Sequence, residues 1–266
     1  MFELFSSSMR TRVVTAFTLI LFVIIGYFTL GKYFLTSLYY LIIQMAVIEL
    51  YVPFFSKHKE NKKKLISLLL IGTLIFQVGL FYPKLISLFL FLILAVQSIL
   101  LDKPIKFLEK IKPYTNFILI LFTVLALIRL NYFMKPEKLL DLLSLLSIAI
   151  LSDTIAYFAG TLFKAKPIGL IVSPKKSMIG FIFGLFMTPF AYKILADYFP
   201  SVHLINFSIF SLFILTIIAI LGDLIYSLGK REMNIKDYSD LMPGHGGVLD
   251  RLDSLFALIA VSFIFI

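Results

Sequence analysis

The sequence contains no cysteine, which excludes disulfides and thiolate-held metals and says nothing about redox compartment. Charge is scarce too: Asp, Glu, Lys and Arg together make up 15% of the residues. Acids are the scarcer sign, 15 against 25 bases, and the formal net charge is +10. No internal repeat is visible, and long stretches carry no charge at all. What fills the chain is apolar. Hydrophobic residues are 60% of the 266, with a mean hydropathy of +1.00. Soluble domains are nearer ~45–50% apolar, so composition points to an integral membrane protein. In so apolar a chain the positive charge reads as contact with anionic lipid headgroups and as a topology marker, not as nucleic-acid binding.

Each apolar run long enough for a hydrocarbon core of about 30 Å is a candidate span. About nine such runs occur, near 13–31, 33–55, 65–82, 85–101, 114–130, 139–163, 178–196, 204–228 and 252–266. Lipid offers no partner to an unpaired backbone amide, so these spans must be helices. The expected fold is an all-α, polytopic membrane bundle. Arg10 and Arg12 before the first run superficially resemble a signal peptide, but the run lacks a convincing cleavage site and reads as a retained span. With the N-terminus in the cytoplasm, 19 of the 25 Lys and Arg fall in inner loops and six in outer ones. That bias follows the positive-inside rule.

Residues 1–112, about four spans, carry little chemistry. The run from Lys57 to Lys64 reads as a topological marker, with His58 as a solvated side chain. The stretch 102–113 has the alternation of an interfacial helix. Glu49, near the inner end of the second span, reads as a snorkelling carboxylate paired with a loop lysine. Residues 113–266 are different and form the expected catalytic region. Asp153 and Tyr157 share one helical face in the sixth span, either as a structural acid in the bundle core or as a polar pocket. The next inner loop holds Ser173-Pro174-Lys175-Lys176-Ser177 directly before the seventh span. Pro174 and Ser177 suit a helix start, whose free amides and positive dipole end make a phosphate site beside two lysines.

The longest polar run, Ser227 to Asp253, separates the last two spans. Asp223 precedes it by about a turn, and Asp250 and Asp253 stand three residues apart on one face of the final helix. That helix is expected to begin before Asp250 with a polar first turn. Three carboxylates converging at a low-dielectric boundary repel one another unless a hard cation joins them. All-oxygen ligands beside a phosphate substrate favour Mg²⁺, one ion or two. Helix capping alone would account for one of the acids, but not for Asp223 near a helix C-terminus. Lys230, Arg231 and Arg251 would neutralise phosphates. Gly244, Gly246 and Gly247 allow positive φ and close approach to an anion. His245 is open to three roles, phosphate donor, general acid or tip of a tight turn, and the first and last suit it better than proton transfer.

These residues stand in a recognisable register. Ser227, Lys230-Arg231, Lys236-Asp237, His245-Gly246-Gly247 and Asp250-Arg251-Leu252-Asp253 resemble the signature of the phosphatidate cytidylyltransferases, with its spacing kept throughout. Asp153 with Ala156-Tyr157 and Gly160 is similar to that family's Asp-x-x-Ala-Tyr-x-x-Gly element. Ser173 to Gly180 looks like its Ser-Pro-Lys-Lys-Thr-x-Glu-Gly, with Ser177 for the Thr and Ile179 in place of the Glu. Gly229 and Met242 replace bulkier apolar residues. The resemblance implies a dimeric membrane enzyme of the inner, cytoplasmic membrane, acting on its cytoplasmic face. It implies CTP and phosphatidic acid as substrates, CDP-diacylglycerol and pyrophosphate as products, and Ser173, Lys175, Lys176, Ser177, Lys230, Lys236, Gly246 and Gly247 near CTP. The alternatives are a CTP-dependent polyprenol or phytol kinase, which transfers the γ-phosphate, and a secondary transporter. Transporters hold buried acids at the midplane of repeated halves. Here the acids crowd at one mouth and no repeat is seen.

Overall fold

The structure is a computed structural model that describes residues 7–31, 90–95, 115–133, 138–168, 172–174, 176–200, 204–242 and 246–266, with short pieces between 34 and 50. The lysine run at 57–64, the stretch 102–113 and most of the second to fourth expected spans lie outside the described residues, as do Lys175, Gly244 and His245. The described elements are helical: α1 (Ser7–Leu30), α2 (Thr115–Phe133), α3 (Leu139–Leu162), α4 (Met178–Tyr198), α5 (Ile209–Glu232) and α6 (Leu249–Val261), closed by a 3₁₀ turn at Ser262–Ile264. Among the described residues there is no strand, only isolated bridges at Pro167–Ser177 and Met242–Gly246. Three of the helices, α3, α4 and α5, are long and apolar enough to cross a membrane. The fold of the described residues is all-helical, and these three helices mark a membrane protein.

The residues divide into two compact units, one of Met1–Glu60 with Met233–Leu252 and one of Asn61–Glu232 with Asp253–Ile266. In the second, α5 is the hub, since α2, α3 and α4 all pack on it. Its most apolar window is 56% buried, against 28% for α3 and for α4, so those two leave broad faces for lipid. Ser208 starts α5 by accepting a hydrogen bond from the Ser211 amide (3.1 Å), the usual service of an N-cap serine. On its inward face the Tyr226 hydroxyl is 2.9 Å from Thr123 Oγ1 of α2, so the phenol is buried with a partner.

The tightest pairing is α3 with α4. Ser152, Ala156 and Gly160 on α3 face Ser177, Gly180 and Gly184, and a Cβ added at Gly180 would lie 2.6 Å from the Ala156 carbonyl oxygen. Without a hydrophobic drive between helices in lipid, small residues that let backbones meet supply the dispersion contact. Gly180 is thus fixed by packing. Ser177 caps α4, its Oγ accepting from the Gly180 amide at 3.1 Å, as the sequence predicts.

In the first unit, α1 exposes Val14, Phe17, Phe22 and Phe28, as a lipid-facing helix would. Residues 233–252 form a loop that ends in the first turn of α6, which starts at Leu249 as expected. The Met242 and Gly246 amides and carbonyls exchange hydrogen bonds at 3.0 and 3.1 Å, closing the tip.

Candidate active site

The cap at Ser177 and the small-residue seam shape one end of the second unit. There a cavity of about 480 Å³ opens between α3, α4 and α5. Its polar lining is Ser152, Asp153, Tyr157, Thr161, Ser173, Lys176, Ser177 and Asp223. Six of these are residues that the sequence singles out, from three separate segments. The cavity therefore joins the Asp153/Tyr157 face, the lysine loop and the acid of α5.

The lysine loop is tied to α5 at both ends. Lys176 Nζ pairs with Asp223 Oδ2 at 2.7 Å and donates to the Ile220 carbonyl at 3.4 Å. Arg231 Nε donates to the Val172 carbonyl at 3.3 Å. Within the loop, the Ile168 amide donates to the Lys176 carbonyl (2.7 Å), which fixes where the lysine departs. Asp223 Oδ1 also accepts from Ser227 Oγ at 3.3 Å, one turn on. Lys230, a further turn along, is buried, and its charge acts on both Asp223 and Asp253.

Asp253 on α6 is buried, at 7% exposure, and its Oδ1 accepts from the Ser254 amide at 2.7 Å. It lies in the field of Asp223 and Asp153 as well as Lys230. Three acids from three helices thus share one electrostatic neighbourhood with Lys176 and Lys230. Gly222 allows this, because a Cβ there would collide with the Ala257 Cβ and press on the Asp253 carbonyl oxygen at 3.3 Å, driving α5 off α6. Among the described residues no group of three or more His, Cys, Asp or Glu is arranged to hold a metal ion. Magnesium does not need one, since it takes one or two carboxylates and completes its shell with phosphate oxygens and water.

Asp250 belongs to the first unit. Its Oδ2 accepts from the amides of Tyr238 (2.8 Å) and Gly247 (2.9 Å), wrapping the loop around the carboxylate. Gly246, at φ +82, holds a left-handed conformation that favours glycine. Lys236 and Arg251 are exposed.

Glu49 is where the structure departs from expectation. It does not snorkel; it is buried at 6% exposure and takes hydrogen bonds from Ser239 Oγ and the Val248 and Leu249 amides. The available signal was a carboxylate inside an apolar run, which must find a partner, but nothing local identifies a partner some 190 residues on.

The sequence profile of the cytidylyltransferase family matches residues 10–266, nearly the whole chain. The chain belongs to that family. Among curated relatives it is similar to proteins named phosphatidate cytidylyltransferase from several bacteria. One from Rickettsia conorii is 37% identical over 119 residues, covering 42% of this chain and 51% of the relative. One from Haemophilus influenzae is 42% identical over 113 residues, 41% of this chain and 39% of the relative. One from Rickettsia prowazekii is 34% identical over 161 residues, 57% and 70% respectively. The first two matches thus span about half or less of the relative's own length. In this chain the charged signature divides between two places. Ser227, Lys230 and Arg231 lie on the last turns of α5, whereas Lys236, Gly246, Gly247 and Asp250 shape the following loop.

Proposed function

We propose that the protein transfers the cytidylyl group of CTP to phosphatidic acid, giving CDP-diacylglycerol and pyrophosphate. The observation that carries this reading is the cavity at the α4 N-terminus, where Lys176, Ser177 and Asp223 meet Asp153 and Tyr157. A helix N-terminus with a lysine beside it suits a polyphosphate, and an apolar wall of spans suits a lipid substrate. An oxygen of the lipid phosphate forms a bond to the α-phosphorus of CTP. The bond from that phosphorus to the bridging oxygen breaks, and its electron pair leaves with pyrophosphate. The attacking phosphate is already ionised, so no general base is required. Lys176, Lys230 and Arg231, with Lys175, Lys236 and Arg251, neutralise the triphosphate as it reorganises. Ser173, Ser177 and the loop glycines orient it, and His245 serves the turn and the phosphate. Asp153 and Tyr157 form the polar wall of the pocket.

Asp223 and Asp253, together with Asp250, are the residues that would hold Mg²⁺, one ion or two, which supplies Lewis-acid neutralisation of charge on the phosphates when bound. The clustered oxygen donors of Asp223 and Asp253 beside a phosphate site fit a hard cation.

The deciding experiment uses purified protein with Mg²⁺, phosphatidic acid and CTP labelled at either the α- or the γ-phosphorus. Label should reach the lipid phase only from the α-position. Transfer from γ would make the protein a lipid kinase, and no transfer from either position would remove the enzymatic reading.

The same proposal covers the chain's setting: nine spans, a cytoplasmic N-terminus, an N-terminal region at 1–112 and a catalytic region at 113–266, a homodimer in the inner membrane, and a site that faces the cytoplasm. With no native cysteine, single cysteines report topology without background. Cysteines at Ser56, Lys164 and Tyr238 should react with impermeant reagent only from the cytoplasmic side, and those at Lys135 and Ser201 only from outside. Labelling of Tyr238→Cys from outside would cut the site off from CTP and sink the arrangement.

A further inference from the structure

We infer that Glu49 is a positioning residue for the reaction, holding the loop that presents Asp250 and Arg251; this rests on the cytidylyl-transfer reading above. The carboxylate comes from a helical stretch at 48–50, far from the family signature. Oε1 accepts from Ser239 Oγ at 2.6 Å and from the Val248 amide at 2.9 Å, while Oε2 accepts from the Leu249 amide at 2.8 Å. Two of the free amides that begin α6 are therefore satisfied by a residue from elsewhere in the chain, in the place where an anion is best held. The loop is gripped twice. Asp250 Oδ2 draws in Tyr238 and Gly247 from inside, and Glu49 pins Ser239, Val248 and Leu249 from outside.

This arrangement explains the second glycine of His-Gly-Gly. A Cβ at Gly247 would stand 2.7 Å from both carboxylate oxygens of Glu49, closer than real Cβ contacts come. Gly246 has the other reason, its positive φ. The pair thus admits one carboxylate and turns the chain around another. Residues 250 and 251 follow directly on the pinned amides, so their direction depends on the Glu49 grip. Misplacing reacting groups by about an ångström costs on the order of 10²-fold in rate.

The test uses the full chain in detergent with Glu49→Gln, Gly247→Ala and the double variant. Gln keeps the Oε1 contacts but turns an N–H donor toward the Leu249 amide. Each single variant should lower kcat by about 10- to 100-fold, the effect of losing a charge-assisted hydrogen bond at a placed group. The KM for CTP should change by less than about twofold, since the loss is one of direction and not of uniform binding. Hydrogen exchange at Val248 and Leu249 should quicken in both, and the double variant should be scarcely worse than either single. Faster exchange with kcat kept within about twofold would overturn the inference, and so would unchanged exchange. If the Glu49→Gln protein melts early, Ser239→Ala becomes the arbiter. It removes one hydrogen bond only and must still lower kcat with melting unchanged; an unaffected kcat overturns the inference. A wild-type protein that transfers no label from CTP overturns the functional reading first, before any variant is compared.

Discussion

Asp223→Asn is expected to lower kcat on the order of 10²–10³, the loss that follows removal of one preorganised charge-stabilising group. The carboxylate is the partner of Lys176, 2.7 Å away, and lies in the field of Lys230. Neutralising it removes the carboxylate that Lys176 pairs with and the negative charge that Lys230 acts on. The same change should cost about 1–3 kcal/mol of stability, between the limits for exposed and buried pairs. The intermediate value follows from exposure: Lys176 and Asp223 side chains are 28% and 27% accessible. Adding Lys176→Met removes the stranded cation and should restore most of the melting temperature while turnover stays low. Melting in detergent, measured beside α-label transfer, separates the two effects. Turnover that recovers together with melting would reduce the pair to a structural tie.

Asp253→Asn should collapse magnesium-dependent turnover about as far, again on the order of 10²–10³. Its stability effect should differ from that of Asp223→Asn. Asp253 is buried amid the charges of Asp223 and Asp153, so the neutral side chain relieves repulsion, and the melting temperature should hold or rise. In the double variant Asp223→Asn/Asp253→Asn, activity should be scarcely lower than in either single, because groups that act as a unit are not additive. Independent capping roles give the opposite result, additive losses of melting temperature with turnover kept in the folded fraction. Magnesium titration of transfer by the two singles and the double decides between them.

Much of the fold was legible because lipid leaves a chain few options. The expected run at 139–163 is α3, Leu139–Leu162, and that at 178–196 is α4, Met178–Tyr198. α5 shows what hydropathy misses. The apolar run begins near 204, but Leu204 to Ser208 is not helical, and the helix starts at Ile209. The Ile205 amide donates to Ser144 Oγ, and its carbonyl accepts from the Tyr192 hydroxyl and from the Phe207 amide, so the backbone here is held out of the helix. At the other end α5 runs beyond the apolar residues to Glu232, where Lys230 and Arg231 complement the C-terminal dipole.

The site was legible in its chemistry and less so in its pairings. Ser177 as a cap could be read from its place before an apolar run, and Asp153, Lys176 and Asp223 do share a cavity. That Lys176 would take Asp223 as its partner could not be read, because no local pattern relates residues 47 positions apart. Glu49 is the sharper case. Spacing identifies helix faces and caps within a few turns, and its partners lie far beyond that reach.

The Glu49 contact also sets a schedule for biogenesis. At a synthesis rate of about 5–20 residues per second, the 190 residues between Glu49 and Ser239 take roughly 10–40 s to emerge. Throughout that interval a carboxylate from an early apolar segment waits without the amides that will satisfy it. The loop can therefore close on Glu49 only after Ser239, Val248 and Leu249 have been made. The loop thus settles well after the residues of α2, α3, α4 and α5 have been made.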